Sequence, residues 1–475
     1  MSKKRQAVVV IHGIGEQRPM KTLRSFVTTL LNYEKHIIDD KLDERTSWTK
    51  PDRISNSYEL RKISSKGAYK KGSRTEKKRS TTHFYEYHWA ANMRDTKWRH
   101  ILGWFRGLMF RNPMQSNSVR LLILWVLLWF LSVAWSIFTL VLVLESVLFG
   151  PVVFKSLRVC EYFLFFIPFG LFIAHNFFIG YIGDAARYLR VDVDNIQQRE
   201  IIRKNGVDLL KALHETEDYD RIVLVGHSLG SVIAYDIITY LWIDFNKTIK
   251  LNQKDGLKEN AETKWLFPFD SVRANSNELE KVQAFSEKVG KGAFNEDDID
   301  DLQEAQIGLW KKIQYERKSW LISDLVTLGS PLTHGKLLMA DSEVDFSLRI
   351  EEREYPVSPP VLDGEDLTYP SGNGNSYLHH ATPFAVTRWT NLYFRGDFIG
   401  GKLSPYFGPG IKDIEIAYIG GYVNKFNSLV NPLSHNRYWL TNSDFATIFE
   451  QKEFEAIRAL YNSMRLNDIE SGIYM

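Results

Sequence analysis

Cysteine is nearly absent from the chain: Cys160 is the single one among 475 residues, so an internal disulfide and a cysteine-based zinc cluster are both excluded. The formal net charge is only +3, which gives no general case for a nucleic-acid partner. No phosphate-binding glycine loop, heptad seam, fixed-period repeat or zinc spacing is present either. We therefore expect no metal and no cofactor. The apolar run after the basic first residues is too short for a cleavable signal, and none is predicted.

Two long apolar runs stand out against this background. Segments 121–144 and 162–183 carry no Asp, Glu, Lys or Arg, and each has the roughly 20 residues that a helix needs to cross a bilayer. They predict a two-helix transmembrane hairpin, with a pair of buried helices or a lid lying in the membrane surface as the alternative. A pore or transporter is disfavoured, because His175 is the only titratable side chain well inside a run.

The charges beside the runs predict the orientation of the hairpin. The connecting turn offers Lys155 and Arg158, whereas the outer flanks carry more basic residues: Arg94, Lys97, Arg99, Arg106, Arg111 and Arg120 before the first run, and Arg187 and Arg190 after the second. Basic flanks stay on the cytoplasmic side. We therefore expect the parts before and after the hairpin to form one cytoplasmic domain close to anionic lipid.

Outside the runs, strand-like and helix-like segments alternate, which predicts an α/β fold with a mostly parallel, doubly wound sheet. We divide the chain into a first part of the domain at 1–118, the hairpin at 119–185 and the main part at 186–475. Polar composition predicts surface insertions at 244–318 and 341–382 and a loop at 46–82. The predicted strands are 7–11, 84–89, 222–225, 325–328, 391–394 and 414–419, and the predicted helices are 21–38, 186–214 and one after residue 228.

The most informative motif is Gly226-His227-Ser228-Leu229-Gly230, between a β-branched run and an apolar helical pattern. A serine hydroxyl needs a base and nearby backbone donors to act as a nucleophile, and a sharp strand-to-helix turn exposes it to both. Gly226 and Gly230 allow strand and helix to approach closely. The motif predicts a nucleophilic serine at position 228.

A second glycine loop follows the first predicted strand, in VVVIHGIG at 8–15. Together with GHSLGS, LVTLGSPL, WTNLYFRGDFIGG and NPLSHNRYW, it resembles the lipase and esterase branch of the α/β-hydrolase superfamily. The resemblance implies a triad in the chain order Ser228, Asp397, His435. It also implies an oxyanion hole made by the backbone N–H groups of Ile14 and Leu229, with Gly13 and Gly15 shaping the loop.

Other candidates fit the triad less well. Asp363 and Asp366 sit in an insertion without a preceding strand, and Asp324 is expected before its strand, at the wrong end of the sheet. His12 is expected to hold its loop by hydrogen bonds, and His227 to lie beside the hydroxyl without facing it. The remaining candidates are His334, His379 and His380, which precede the acid, and Ser330, which is expected to serve a turn; the pair His379-His380 lacks a third metal ligand.

The predicted activity is hydrolysis of carboxylic esters through an acyl-enzyme, with membrane lipids or lipid-like esters as substrates because of the predicted anchor. An acyltransferase, thioesterase or amidase would use the same triad, and these alternatives stay open. A non-catalytic membrane scaffold built on a hydrolase fold is the alternative from a different class.

Overall fold

The computed structural model describes most of the chain on either side of the two apolar runs. The described residues are 5–14, 18–38, 47–55, 57–66, 80–92, 193–216, 218–255, 277–317, 320–370, 376–397, 399–416, 435, 437–439 and 454–467, with single positions at 126, 129, 133 and 188. The strands are β1 (Arg5–Ile11), β2 (Ser47–Pro51), β3 (Arg61–Ser65), β4 (Thr81–Tyr87), β5 (Arg221–His227), β6 (Ile322–Leu328), β7 (Thr368–Pro370), β8 (Ser376–Leu378), β9 (Arg388–Phe394) and β10 (Lys412–Ile416). The helices are α1 (Lys21–Ile38), α2 (Val193–Glu215), α3 (Leu229–Asp255), α4 (Asn277–Gly290), α5 (Asp298–Arg317), α6 (Gly335–Leu338), α7 (Glu343–Glu351), α8 (Ser404–Phe407) and α9 (Phe454–Met464).

Eight strands form one sheet in the order β10-β9-β6-β5-β1-β4-β3-β2. The six strands from β10 to β4 are parallel, and β3 and β2 continue the sheet antiparallel. Strands β6 and β9 are buried along their whole length, as expected where helices cover both faces of a parallel sheet. The prediction of an α/β fold with a mostly parallel sheet is therefore confirmed.

Strand β1 shows how the two faces are covered. Ala7, Val9 and Ile11 belong to the hydrophobic cluster that contains side chains of α2, α3 and α5. Val8 and Val10 belong to the cluster on the other face, with side chains of α1 and α9. Successive side chains of a strand point to opposite faces, so a continuous apolar run such as β1 is what a sheet between two helical layers requires.

Register brings several strand ends to one edge of the sheet. Ile11 at the end of β1 pairs with Tyr87 of β4 and with Gly226 of β5, and Gly226 pairs with Thr327 of β6. Leu328 at the end of β6 pairs with Leu392 of β9. The segments that follow these strands therefore emerge together, and we call this the carboxyl edge of the sheet.

Two polar segments are more ordered than their composition suggested. The loop expected at 46–82 contains β2 and β3, because Leu60 and Ile63 are buried in the core and hold this part of the chain against the sheet. The surface insertion expected at 244–318 contains α4 and α5. Leu302 and Leu309 are fully buried at helical spacing, which the surrounding charged residues had masked.

The second insertion, expected at 341–382, contains α7 and the short hairpin of β7 and β8. Leu367 and Leu378 are both fully buried, so this segment also packs on the main core.

Within the described residues, no helix is long and apolar enough to cross a membrane. The predicted spans 121–144 and 162–183 lie outside those residues, apart from Val126, Trp129 and Val133. The transmembrane hairpin therefore stays a prediction.

Candidate active site

Ser228 occupies the turn between β5 and α3 in the left-handed backbone region, with a φ of 52°. Such a conformation costs a non-glycine residue free energy and is concentrated at functional sites. A Cβ on Gly226 would lie 2.5 Å from the Ser231 Cα, and a Cβ on Gly230 would lie 2.3 Å from the carbonyl oxygen of Ile11. Both glycines are thus required by the close approach of the strand, the helix and β1.

Two buried serines support this turn. The Ser231 Oγ donates to the carbonyl oxygen of Ser228 at 2.5 Å and lies 2.6 Å from the Ser330 Oγ. Ser330 also accepts from the Leu332 N–H at 3.3 Å and so caps the turn after β6. The role of Ser231 was missed from sequence, although a serine in the first turn of the helix was its available signal.

Asp397 and His435 are brought together at the same edge. Their contact joins the His435 Nδ1 to the Asp397 Oδ2 at 2.9 Å, and both side chains are buried. Asp397 follows β9, as an orienting carboxylate should. An ionised carboxylate only accepts hydrogen bonds, so the Nδ1 of His435 carries the proton and its Nε2 presents a lone pair.

Further donors hold the Asp397 carboxylate. The Tyr438 hydroxyl donates to Oδ2 at 2.9 Å, and the Ile399 N–H donates to Oδ1 at 2.9 Å. Burial alone would favour the protonated form, but the hydrogen bond from His435 and the backbone donors outweigh it and lower the pKa of Asp397 to about 2. Tyr438 was missed from sequence, where its position three residues after His435 was the only hint.

The Nε2 of His435 is buried and has no hydrogen-bond partner within the described part of the chain, so it is not bonded to the Ser228 Oγ in this structure. Catalytic hydrogen bonds are often long in ligand-free proteins and tighten when substrate binds. Ser228 itself is buried, with 2% of its surface exposed. The structure thus brings Asp397 and His435 into contact and leaves the His435 Nε2 without a hydrogen bond to the described residues.

His227 links the nucleophile turn to His435. The two imidazole centroids are 5.1 Å apart, and the His227 Nε2 donates to the carbonyl oxygen of His435 at 2.9 Å. Burial, together with the neighbouring His435 imidazole, lowers the pKa of His227 to about 3, so the ring is neutral at physiological pH. Its place beside the hydroxyl was expected, whereas its bond to the backbone of His435 was missed.

The loop after β1 lies against Ser228. A Cβ on Gly13 would lie only 2.8 Å from the Ser228 Cβ. The His12 Nδ1 donates to the carbonyl oxygen of Gly13 at 2.8 Å. Because C=O and N–H point in opposite directions across a trans peptide, this bond directs the Ile14 N–H away from the His12 ring. Burial lowers the pKa of His12 to about 3, consistent with a structural role.

The second expected oxyanion donor is the N–H of Leu229, the first residue of α3. The first four N–H groups of a helix have no partner within the helix and are available to a ligand. Ile14 is half-buried in the loop after β1, and Gly15 lies outside the described residues.

Asp324 has a structural role at the other end of the sheet. The sequence had placed Asp324 before its strand, but it lies within β6 and is fully buried. Its carboxylate accepts from Arg221, from Arg388 at 2.9 Å and from Arg465 at 3.0 Å. Burial opposes its ionisation, but these three guanidinium groups outweigh it and hold the pKa of Asp324 well below its usual range.

The remaining candidates lie apart from these groups. Asp363 and Asp366 are exposed and form an isolated bridge with each other. The His379 Nε2 donates to the Val361 carbonyl at 2.9 Å, and its Nδ1 accepts from the Ala381 N–H at 3.2 Å, so neither ring nitrogen is open to a metal. Among the described residues, no group of three or more His, Cys, Asp or Glu side chains could hold a metal ion.

No protein-family model, curated protein or solved structure matches the chain. The function is therefore inferred from the residues of the site and their geometry.

Proposed function

We propose that the protein is a membrane-anchored serine hydrolase of the α/β-hydrolase type, which cleaves carboxylic esters of lipids through Ser228, His435 and Asp397. The observation that carries this proposal is the contact between Asp397 and His435 at the carboxyl edge. The Nε2 of His435 has no hydrogen bond to the described residues, and Ser228 at the same edge has a φ of 52°. A buried carboxylate that accepts the Nδ1–H hydrogen bond fixes the imidazole tautomer that a base requires, and it stabilises the imidazolium that forms. The order of the three residues in the chain also agrees with this type of enzyme.

The chemistry takes two steps. The His435 Nε2 accepts the Ser228 proton while Oγ attacks the ester carbonyl carbon, and the N–H groups of Ile14 and Leu229 stabilise the oxyanion. The carbon–oxygen bond to the alcohol then breaks, and the leaving alcohol takes the proton from His435. A water molecule, deprotonated by the same nitrogen, attacks the acyl-enzyme and releases the acid and the free serine. Loss of one oxyanion donor typically lowers turnover by about 10²- to 10³-fold.

The two apolar runs inserted into the domain support lipid as the substrate class. The uncharged runs 121–144 and 162–183 are long enough to span a bilayer, and basic residues on their outer flanks favour a cytoplasmic position for the domain. A hydrolase held at a membrane surface meets phospholipids, glycerides and other lipid-linked esters at high local concentration. Water is the proposed acyl acceptor.

The test is hydrolysis of an ester series of increasing acyl length by the full-length protein and by Ser228→Ala. We expect the parent protein to cleave esters, with the longer acyl chains preferred, and the variant to be inactive but equally stable. Unchanged cellular function of Ser228→Ala would support a scaffold in place of an enzyme. Absence of hydrolysis across the whole series would contradict the proposal.

A further inference from the structure

The segment that holds the apolar runs follows β4 at the carboxyl edge of the sheet, and it leads into α2, whose first residues lie at the same edge. At the first end, β4 stops at Tyr87, which pairs with Ile11 at the end of β1. Trp89 follows, fully buried, and its Nε1 donates to the carbonyl oxygen of His12 at 2.8 Å. The indole also stacks on the His12 ring, with centroids 5.3 Å apart. The chain therefore leaves the domain from a point packed on the predicted oxyanion loop.

The second end returns to the same side. The Tyr87 hydroxyl donates to the carbonyl oxygen of Ile202 at 2.5 Å, so Ile202 lies level with the carboxyl edge. Nine residues of α2 precede Ile202, and at 1.5 Å per residue they extend about 14 Å from it. Since α2 leads back to the start of β5, these residues project beyond the strand ends.

A buried contact fastens the chain just after the second apolar run. Tyr188 is 1% exposed, and its hydroxyl donates to the Asp236 Oδ2 at 2.7 Å. Asp236 is also paired with Arg203 of α2 at 2.7 Å. Because α3 starts at the carboxyl edge and runs back across the sheet, Asp236, eight residues after Ser228, lies about 12 Å from that edge. The contact thus ties the returning chain to the helix that follows the nucleophile.

The tether between this contact and the second run is short. The run ends at Gly183, five residues before Tyr188, and five extended residues span at most about 18 Å. A domain attached in this way stays close to the bilayer surface, with the edge that carries Ser228 on the side where the chain leaves and returns.

We propose that the carboxyl edge of the sheet faces the bilayer in which the chain is anchored, and that the enzyme acts in cis, on ester lipids of its own membrane. This inference rests on the proposed function and adds the orientation of the site and the location of its substrate. A tethered catalyst meets substrate in its own bilayer at an effective concentration that a separate vesicle does not match, and such gains commonly reach about 10² to 10⁴.

The test uses full-length protein reconstituted into vesicles of phosphatidylcholine and phosphatidylserine. A fluorogenic phospholipid ester is placed either in the same vesicles or in separate, protein-free vesicles of the same composition. We expect the cis rate to exceed the trans rate by about 10²-fold or more. Cleavage of a water-soluble short-chain ester by the same sample reports the chemistry independently of membrane geometry.

A spacer variant tests the short tether directly. Twenty Gly and Ser residues inserted between Gly183 and Tyr188 add a coil of about 25 Å average length. We expect the ratio of cis to trans rates to fall by roughly tenfold, because a longer tether lowers the effective concentration. The same spacer between Gly292 and Ala293, in the turn after α4, is the matched control and should leave the ratio unchanged.

The outcomes separate this inference from the proposed function. Equal cis and trans rates, or a ratio that the spacer at 183–188 leaves unchanged, would overturn the orientation and cis action while cleavage of the soluble ester upheld the chemistry. Failure to cleave the soluble ester would instead overturn the proposed function itself.

Discussion

Replacing Asp397 with asparagine changes one atom and tests the role of the carboxylate. The contacts dictate how the new amide lies. Oδ1 accepts from the Ile399 N–H at 2.9 Å, and a backbone N–H cannot act as an acceptor, so the amide oxygen must take this position. The amide NH₂ then takes the Oδ2 position, 2.9 Å from the His435 Nδ1.

An NH₂ group in that position donates to Nδ1 at 2.9 Å, closer than the amide oxygen at 3.1 Å, and so favours the proton of His435 on Nε2. The imidazole is then the wrong tautomer to accept a proton from Ser228. In a comparable serine protease, the same substitution lowers turnover about 10⁴-fold with the geometry intact. We expect a loss of about 10⁴-fold in kcat for ester hydrolysis by Asp397→Asn and a similar loss in the rate of fluorophosphonate labelling.

Asp324→Asn is the matched control, since it changes another buried carboxylate in the same sheet. Its loss leaves three guanidinium groups without their anion, and breaking such a buried pair costs about 3 to 5 kcal/mol. We expect a lower urea midpoint for this variant but unchanged kcat per folded molecule. An Asp397→Asn protein that kept kcat within tenfold of the parent would refute the assigned role of Asp397.

Two further substitutions test the loop and the pH dependence. Gly13→Ala places a Cβ 2.8 Å from the Ser228 Cβ and should lower kcat by about 10- to 100-fold, because the oxyanion donor of the loop is displaced. Gly290→Ala, at a site with open space around it, is the control and should leave kcat unchanged. Equal kcat for both variants would contradict the role of the loop. Burial raises the pKa of Glu86 from 4.5 to about 7. The contribution of protonated Glu86 to the free energy of unfolding is therefore fully present below pH 4.5 and is lost as pH rises through 7. Glu86→Gln should therefore gain on the order of 3 kcal/mol over the parent at pH 8 and nothing at pH 4, measured by urea unfolding; a gain that did not change with pH would refute the assignment.

Strong local patterns allowed much of the fold to be predicted. The predicted helix at 21–38 has the bounds of α1, and the apolar strand at 7–11 lies within β1, because both have a clear periodicity and a covered face. The segment 277–317 was misjudged. Its apolar residues are outnumbered by charged ones on the solvent side of α4 and α5, so composition concealed the buried spacing.

Local sequence patterns likewise reveal only some of the residues of the site. Ser228 was recognisable because its turn imposes glycines two residues before and two after it, within a short stretch of sequence. His435 and Asp397 are 38 residues apart, and their contact follows from the order of strands in the sheet, which local patterns do not encode. Tyr438 and His227 act through hydrogen bonds to residues far away in the sequence, and no motif records such bonds.

Mass spectrometry of the fluorophosphonate adduct tests the central claim most directly. We predict that purified full-length protein forms one covalent adduct, located on Ser228, that the adduct is lost in Ser228→Ala, and that it persists in Ser330→Ala, where a buried serine after the neighbouring strand is removed. No adduct on the parent protein, or an adduct that persists in Ser228→Ala, would contradict the account.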